Sequence, residues 1–379
     1  MTYRTKSYIF LLAKLKLYTE ANINKEDING LDDIKKLPVI TKDMVKQYAD
    51  QMLVTSKWKL IKNHTSGTTG TPMTVYEDWP SIWREQAYFY CYRKKCGFIY
   101  GQPLVSLRGN LDKKDLYLKI HISNTLYLSS YNINQKSIEI YYKKIREHNP
   151  IAIEGYPSSL YNLAILLKEN NLQLNIPLTF TSSETLFNYQ RRLIEQQFNT
   201  SVYDHYGTTE RTIRLSEKKG HNGYYEDPGY SINEYIKDGE ITTSLINESF
   251  PLIRYKGTDI IEIETSPNGA IKINSILGRN EDFIICKDGS KIMRLDIIMK
   301  KISHIKASQL IQKERGELTI KVVPEVDFTK RDEHDIISAL ENRTGKDNLN
   351  ITIELTSMNG LVYTTRGKFK YLINLTLKH

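Results

Sequence analysis

The sequence predicts an α/β protein with a mainly parallel sheet, an antiparallel β part and a small α+β domain at the C-terminal end. Between residues 79 and 198, segments with helical spacing of apolar residues alternate with short β-rich runs, as in a parallel sheet. From residue 238 onward, β-rich segments are separated by Asp-Gly and Asn-Gly turns, which favour antiparallel pairing. Beyond residue 279 a strand, a helix that Gly345 is predicted to end, and a second strand follow within about 100 residues, enough for a small domain.

Length and composition indicate a globular protein of two domains. The 379 residues exceed the usual size of one domain, so we predict a large N-terminal domain over residues 1–279 and a small C-terminal domain over residues 280–379. Hydrophobic residues make up 40% and charged residues 26% of the chain, and no apolar run approaches the ~18 residues that span a bilayer. We therefore expect a cytoplasmic protein without a membrane span.

Charge and cysteine content argue against two further classes of protein. The net charge is +9, but the 53 Lys and Arg residues are interspersed with 44 acidic residues and form no basic stripe, so we expect no nucleic-acid partner. The three cysteines, Cys91, Cys96 and Cys286, are too few for a disulfide framework. Cys91 and Cys96 also lack nearby histidines that could complete a zinc site.

The N-terminal part predicts two helices and two strands before residue 79. An apolar stretch within residues 1–17 predicts an amphipathic helix. Thr41 can cap a second helix, which runs to Met52 with apolar residues at helical spacing. Residues 58–61 and 73–76 are β-rich and predict strands on either side of a glycine-rich run.

This glycine-rich run, residues 64–72, consists of small hydroxylated residues and glycines and is closed by Pro72. Glycine lets backbone N–H groups converge on an anion, and the Ser and Thr hydroxyls can donate further hydrogen bonds, so the run predicts a phosphate-binding loop. It is not a Walker loop, because no lysine follows Gly70. The alternative is an ordinary flexible loop.

The α/β part predicts helices and strands in alternation, and the strand ends carry polar residues. Ligands of open α/β sheets bind beyond the carboxyl ends of the strands, where Tyr156 and Glu184 are expected. The predicted helices cover residues 79–97, 137–147, 157–167 and 185–198, and the predicted strands cover residues 103–107, 151–155 and 178–183.

A second polar motif, residues 203–210, has the sequence Tyr-Asp-His-Tyr-Gly-Thr-Thr-Glu and is predicted to follow a strand. An aromatic face can stack on a base, a threonine can donate to phosphate, and a carboxylate can hold Mg²⁺ near phosphate oxygens. Together with the glycine-rich run, this motif indicates an ATP site. Taken alone, Tyr206 would more often be a core aromatic residue.

Further motifs follow in the second half of the chain, and the order of all the motifs resembles that of the adenylate-forming (acyl-activating) enzymes. Residues 65–70, 155–158 and 250–255 are similar to the phenylacetate–CoA ligase and CapK-like branch of that superfamily. The resemblance extends from about residue 37 to about residue 375, and the motifs are specific jointly rather than singly. The later motifs are residues 238–245, 250–259, 278–282 and 364–370.

The resemblance implies that one part of the nucleotide site comes from the first two motifs. Tyr206 would pack on adenine with Gly207 beside it, Thr209 would touch the α-phosphate, and Glu210 would ligate Mg²⁺. The β- and γ-phosphates of ATP would be gripped by Thr65, Ser66, Gly67, Thr68, Thr69 and Gly70.

The resemblance also implies roles for residues nearer the C-terminus. Asp259 would bind the ribose hydroxyls and Arg279 would contact the nucleotide beside a hinge, of which Glu281 or Asp282 would be the pivot. Lys368 would bridge the attacking carboxylate and the α-phosphate. Residues 1–279 would then be an adenylation domain and residues 280–379 a mobile domain. Substrate binding is predicted at Tyr156, Ser183, Glu184 and His205.

The activity that this resemblance implies is ATP- and Mg²⁺-dependent formation of an acyl-adenylate from a carboxylic acid, with release of pyrophosphate. The acyl group would then pass to CoA. One alternative is a CapK-like ligase that transfers it to an amine in polysaccharide or secondary-metabolite biosynthesis, and another is a nucleotide-binding protein without turnover. The chain departs from the family pattern at residues 256–259, where Lys-Gly-Thr-Asp replaces the usual Thr-Gly-Asp order.

Overall fold

The structure is a computed structural model that describes residues 32–65, 73–108, 111, 115–266, 271–279, 283–293, 304–363 and 369–376. The chain divides into two compact units. The first unit consists of Met1–Tyr100 and Tyr203–Arg279, and the second of Gly101–Val202 and Asn280–His379. The predicted division into domains at residue 279 stays a prediction, and the amphipathic helix predicted within residues 1–17 lies outside the described residues.

The described part of the chain alternates helices and strands up to β8 and is mainly β afterwards. The helices are α1 (Lys42–Tyr48), α2 (Trp79–Cys96), α3 (Ile138–His148), α4 (Pro157–Glu169), α5 (Asn188–Phe198) and α6 (Lys330–Thr344). The strands are β1 (Ile61–His64), β2 (Thr74–Glu77), β3 (Leu104–Arg108), β4 (Tyr117–Ile120), β5 (Thr125–Ser129), β6 (Ala152–Gly155), β7 (Leu178–Ser182), β8 (Ser201–Gly207), β9 (Arg214–Glu217), β10 (Tyr224–Glu226), β11 (Ser231–Ile236), β12 (Gly239–Ser244), β13 (Tyr255–Lys256), β14 (Asp259–Thr265), β15 (Ile271–Arg279), β16 (Phe283–Ile285), β17 (Lys291–Met293), β18 (Ile305–Gln312), β19 (Glu317–Pro324), β20 (Asn350–Leu355) and β21 (Leu372–Asn374).

Short 3₁₀ helices connect several of these elements. They are Asp32–Lys36, Ala49–Met52, Lys57–Lys59, Ser130–Asn132 and Met358–Gly360. The segment 58–61 was predicted as a strand, but its first residues belong to a 3₁₀ turn and the strand begins at Ile61.

The first unit begins with the elements that frame the glycine-rich run. Thr41 caps α1 as predicted, because the backbone N–H of Met44 donates to Thr41 Oγ1 at 3.4 Å. Strands β1 and β2 pair antiparallel, with His64 opposite Thr74. The run therefore connects the two strands of a hairpin, which confirms the predicted strand–loop–strand setting.

The other strands of the first unit pair antiparallel. Five of them are neighbours in the order β14-β15-β10-β9-β8, and a separate sheet has the order β11-β12-β13. A core formed by Ile40, Val75, Phe250 and Ile253 joins the N-terminal segment, the hairpin and the segment before β13. Burial of these apolar side chains is the main force that holds the hairpin on the unit.

The second unit contains the parallel sheet. Strands β7, β6, β3 and β5 pair parallel in that order, and β4 adds an antiparallel edge. Helix α4 is buried along most of its length because apolar residues such as Leu160, Leu163 and Leu167 enter the core of this sheet. The α/β class predicted from the sequence is confirmed.

The C-terminal part of the second unit is a four-stranded sheet with α6 packed on it. The strand order is β20-β19-β18-β21, with one antiparallel and two parallel pairs. Ile336 and Leu340 of α6 pack against Leu310 and Ile320 of the sheet. Gly345 follows the last turn with a φ of 90°, so the predicted end of the helix is confirmed.

None of the helices in the described part of the chain has the length and hydrophobicity that a membrane crossing requires.

Candidate active site

The motif over residues 203–210 lies partly on a strand and partly on a turn. His205, Tyr206 and Gly207 are on β8 and pair with β9. The chain then turns at Thr208, whose carbonyl oxygen accepts the N–H of Arg211 at 3.2 Å. The sequence predicted the motif after a strand, but its first five residues belong to β8, and the last three of these pair with β9.

Tyr206 and Asp259, both predicted to bind the nucleotide, are in contact. The Tyr206 hydroxyl donates a short hydrogen bond to Asp259 Oδ2. Asp259 begins β14 and faces Arg279 of β15 across the ladder. Burial, and next the Asp259 carboxylate, raise the pKa of Tyr206 well above its usual value, so this phenol stays a donor. The structure thus brings together a ring and a carboxylate that are 53 residues apart in the sequence.

Glu210 is half-buried beside these residues, whereas Thr209 is exposed. The hydroxyl of Tyr255 on β13 donates to Glu210 Oε1 at 3.4 Å. Tyr255 is the last residue of the motif 250–255, so the contact links two of the sequence motifs. A carboxylate held at a turn and partly open to solvent is suited to bind a cation.

Glu240, on β12, is a buried acid at this site for which no sequence motif indicated a role. Its side chain is 2% exposed, and its Oε2 has no hydrogen-bond partner among the described residues. Burial, followed by the charges of Asp259 and Glu210, raises the pKa of Glu240 to about 9. The sequence gives no signal of this raised pKa, because the carboxylates that cause part of it, Asp259 and Glu210, are distant from Glu240 in the chain.

Gly257 explains how Glu240 fits. A Cβ atom at Gly257 would lie 1.9 Å from Glu240 Oε1, and the backbone N–H of Gly257 donates to the Glu240 carbonyl oxygen at 2.8 Å. The departure from the family pattern at residues 256–259 therefore keeps a glycine where the Glu240 side chain needs the space.

Only the base of the glycine-rich run is among the described residues. The backbone N–H of Thr65 donates to the Met73 carbonyl oxygen at 2.9 Å, and the Met73 N–H donates to Thr65 Oγ1 at 3.1 Å. Thr65 is buried and closes the run. The predicted site residues that lie outside the described residues are Ser66, Gly67, Thr68, Thr69, Gly70, Glu281, Asp282 and Lys368.

Three of the four predicted substrate residues lie in the second unit. Tyr156 immediately precedes α4, and Ser183 follows β7 with a φ of 70°, in the left-handed region. Glu184 accepts two backbone hydrogen bonds, from Ser158 N at 3.1 Å and from Phe369 N at 2.6 Å. Glu184 therefore joins the start of α4 to the residue that follows Lys368 in the chain.

His205, the fourth predicted substrate residue, lies in the first unit. It is buried, and its ring lies 4.7 Å from that of Phe89 and 5.9 Å from that of Tyr92, measured between centroids. The four predicted substrate residues thus divide between the two units.

The residues present fit a Mg²⁺ ion that is shared with a nucleotide. Among the described residues, no cluster of three or more His, Cys, Asp or Glu side chains could hold a metal by itself. Mg²⁺ in nucleotide enzymes commonly uses one or two carboxylates together with substrate phosphates. Glu210 would supply such a carboxylate.

Comparison with known proteins gives the class to which this fold belongs. Residues 284–375 match the CapK C-terminal domain family. The chain is 26% identical to Protein CapK of Staphylococcus aureus over 395 aligned residues. The alignment covers 97% of this chain and 86% of the relative.

Solved structures of adenylate-forming ligases have the same fold. A 2-hydroxyisobutyryl-CoA ligase in the postadenylation state, in complex with R3-HIB-AMP, matches with a TM-score of 0.72 at 16% identity, over 98% of this chain and 88% of that one. The anthranilate CoA ligase AuaEII in complex with anthranoyl-AMP matches with a TM-score of 0.56 at 13% identity, over 81% of this chain and 65% of that one. A benzoate CoA ligase from Burkholderia xenovorans LB400 matches with a TM-score of 0.53 at 15% identity, over 79% of this chain and 66% of that one.

The chain therefore has the fold of these adenylate-forming ligases, in agreement with the resemblance stated from the sequence. The C-terminal match and the curated relative show that the chain is similar to CapK, the branch that the sequence motifs resemble.

Proposed function

We propose that this protein is an ATP- and Mg²⁺-dependent ligase that activates a carboxylic acid as an acyl-adenylate and releases pyrophosphate. The single observation that carries the proposal is the contact between Tyr206 and Asp259, next to Glu210. The first unit thus brings together an aromatic ring that could stack on a base, the Asp259 carboxylate for the ribose hydroxyls and the Glu210 carboxylate for a cation. Solved structures of the same fold that hold acyl-adenylates support the proposal.

The residues would act on ATP as follows. Tyr206 stacks on adenine, Asp259 accepts hydrogen bonds from the ribose hydroxyls, and Glu210 holds Mg²⁺. When bound, Mg²⁺ neutralises part of the phosphate charge. Lys368 supplies a positive charge where the carboxylate attacks the α-phosphorus, which stabilises the charge that develops there. Residues 65–70 hold the leaving pyrophosphate through backbone N–H and hydroxyl groups.

We further propose that CoA is the acceptor, because the three solved structures compared above, which share the fold, are CoA ligases. The amide-forming alternative is favoured by a different observation, the match of residues 284–375 to the CapK C-terminal domain. An amine would then attack the acyl-adenylate in place of a thiol. In both cases we expect a cytoplasmic enzyme with a small carboxylic acid as substrate.

Product analysis tests the proposal and separates the acceptors. The protein is incubated with ATP, Mg²⁺ and a panel of aryl, hydroxy and sugar acids, first alone and then with CoA or with a set of amines, and products are identified by mass spectrometry. We expect an acyl-AMP with at least one acid and an acyl-CoA when CoA is added. An amide with an amine and no thioester would favour the alternative. ATP binding without any acyl-AMP would support the nucleotide-binding protein instead.

A further inference from the structure

Arg211 follows Glu210 directly, and its backbone is in an uncommon conformation. Its φ is 58°, in the left-handed region that few non-glycine residues adopt. A residue in this region is held there by its surroundings, since the conformation is otherwise unfavourable. The side chain of Arg211 is 27% exposed, so most of it is covered.

The covered guanidinium of Arg211 forms two ion pairs inside the first unit. Its Nε donates to Glu77 Oε1 at 2.7 Å, and its Nη1 lies 3.2 Å from Glu85 Oε1. Glu77 is 1% exposed and Glu85 is 3% exposed. Buried carboxylates need charged or hydrogen-bonding partners, so the position of this arginine is tightly determined.

Glu77 connects Arg211 to the hairpin that carries the glycine-rich run. Glu77 is the last residue of β2, and its second oxygen, Oε2, accepts a short hydrogen bond from Asn63 Nδ2 on β1. The carboxylate of this β2 residue therefore contacts β1 of the hairpin and the arginine that follows Glu210. These strands are the ones that Thr65 and Met73 close at the base of the run.

Glu85, the second partner, is fixed by contacts of its own. Its Oε1 also accepts from Arg214 Nη1 at 3.1 Å, and its Oε2 accepts from the Tyr230 hydroxyl at 2.6 Å. Arg214 is fully buried and also donates to Asp227 Oδ2 at 2.8 Å. Arg211 thus reaches a carboxylate whose position does not depend on it.

We propose that Arg211 is a positioning residue that holds the turn 208–210 against the stem of the glycine-rich run. The inference deepens the proposed function and rests on it. Glu210 is expected to meet Mg²⁺ and the run to meet the β- and γ-phosphates of one nucleotide, so the two motifs must keep a fixed spacing. The ion pair between Arg211 and Glu77, which are 134 residues apart in the sequence, supplies that spacing. An arginine that only stabilised the fold would not need to follow Glu210, the residue proposed to bind Mg²⁺.

The test measures the dissociation constant of ATP·Mg²⁺ by calorimetry without acid, and the ATP·Mg²⁺ concentration that gives half-maximal pyrophosphate exchange with acid. We expect Arg211→Gln and Glu77→Gln each to weaken ATP·Mg²⁺ binding about tenfold. The double variant should bind about as weakly as Arg211→Gln alone, because each single change already breaks the pair.

Arg84→Gln is the matched control. Arg84 lies on α2 of the same unit, its side chain is 24% exposed, and its Nη2 lies 3.2 Å from Glu248 Oε1. We expect this change to alter ATP·Mg²⁺ binding less than about twofold. Thermal unfolding of every variant reports losses of stability separately from losses of affinity.

The inference is overturned if Arg211→Gln lowers the Tm but leaves ATP·Mg²⁺ affinity within about twofold of the wild type. If Arg211→Gln does not fold, Arg211→Lys replaces it, because lysine keeps the charge but lacks the planar fork that reaches two carboxylates. The inference is also overturned if Arg211→Lys and Glu77→Gln both bind ATP·Mg²⁺ as tightly as the wild type does. Failure of the proposed function looks different, since the wild type would then bind ATP·Mg²⁺ but exchange no pyrophosphate with any acid.

Discussion

Glu240 shows at the scale of one residue how burial changes chemistry in the candidate site. Burial in the folded protein raises the pKa of its carboxyl group from the usual 4.5 to about 9, so the group carries a proton near neutral pH. In the unfolded chain the same group ionises near its usual value. At pH values between 4.5 and 9 the folded protein therefore binds one proton more than the unfolded chain does. The free energy of unfolding falls as the pH rises through this range toward 9.

We predict that Glu240→Gln removes this pH dependence. Glutamine keeps the shape of the neutral acid but does not titrate, so the Tm of the variant should rise relative to that of the wild type between pH 5 and pH 9. The underlying change in the free energy of unfolding is at most about 1.4 kcal/mol per pH unit, the value for one proton. Thermal unfolding of both proteins across this range is the measurement. Parallel Tm profiles would show that Glu240 is ionised in the folded protein.

Among single residues, the sequence indicated the chemistry of Tyr206, Glu210 and Asp259 but not their environment. The motif order pointed to these side chains, and the structure places Tyr206 on Asp259. Glu240 and Arg211 were not singled out, because burial and an ion pair between distant residues leave no periodic signal in the chain. The catalytic roles themselves remain predictions.

At the scale of elements, local signals predicted most helices and strands. Thr41 and Gly345 mark helix ends in the sequence and do so in the structure, since capping depends on a few neighbouring residues. The segment 58–60 was misassigned because its apolar residues look like a strand, although it forms a 3₁₀ turn before β1. Residues 205–207 lie on β8 and pair with β9, and no local pattern in the sequence indicates this pairing between strands.

The contact between β12 and the segment after β13 gives a prediction at this scale. We expect Gly257→Ala to lower stability by about 1–3 kcal/mol, because the new Cβ would overlap the Glu240 carboxylate. Thermal unfolding measures the loss. In a Glu240→Ala background, where the carboxylate is gone, the same change should cost less than half as much. An equal loss in both backgrounds would place the strain in the backbone rather than in this contact.

At the scale of the whole molecule, the two compact units are each built from two separate stretches of sequence. The first unit takes the chain up to Tyr100 and again from Tyr203. Composition and periodicity describe stretches in order, so they could not predict this interleaving. The ordered motifs predicted the fold of the adenylate-forming enzymes because they occur in both halves of the chain, from the glycine-rich run to the segment around Lys368.

The central claim is that this molecule joins a carboxylate to AMP. Acid-dependent exchange of labelled pyrophosphate into ATP tests it most directly, because exchange requires reversible formation of the acyl-adenylate. We predict Mg²⁺-dependent exchange with at least one acid of the panel, reduced at least about 100-fold in Lys368→Ala with ATP binding nearly unchanged. The neighbouring change Lys370→Ala should leave exchange close to that of the wild type. A wild-type protein that binds ATP·Mg²⁺ but gives no exchange with any acid would contradict the claim.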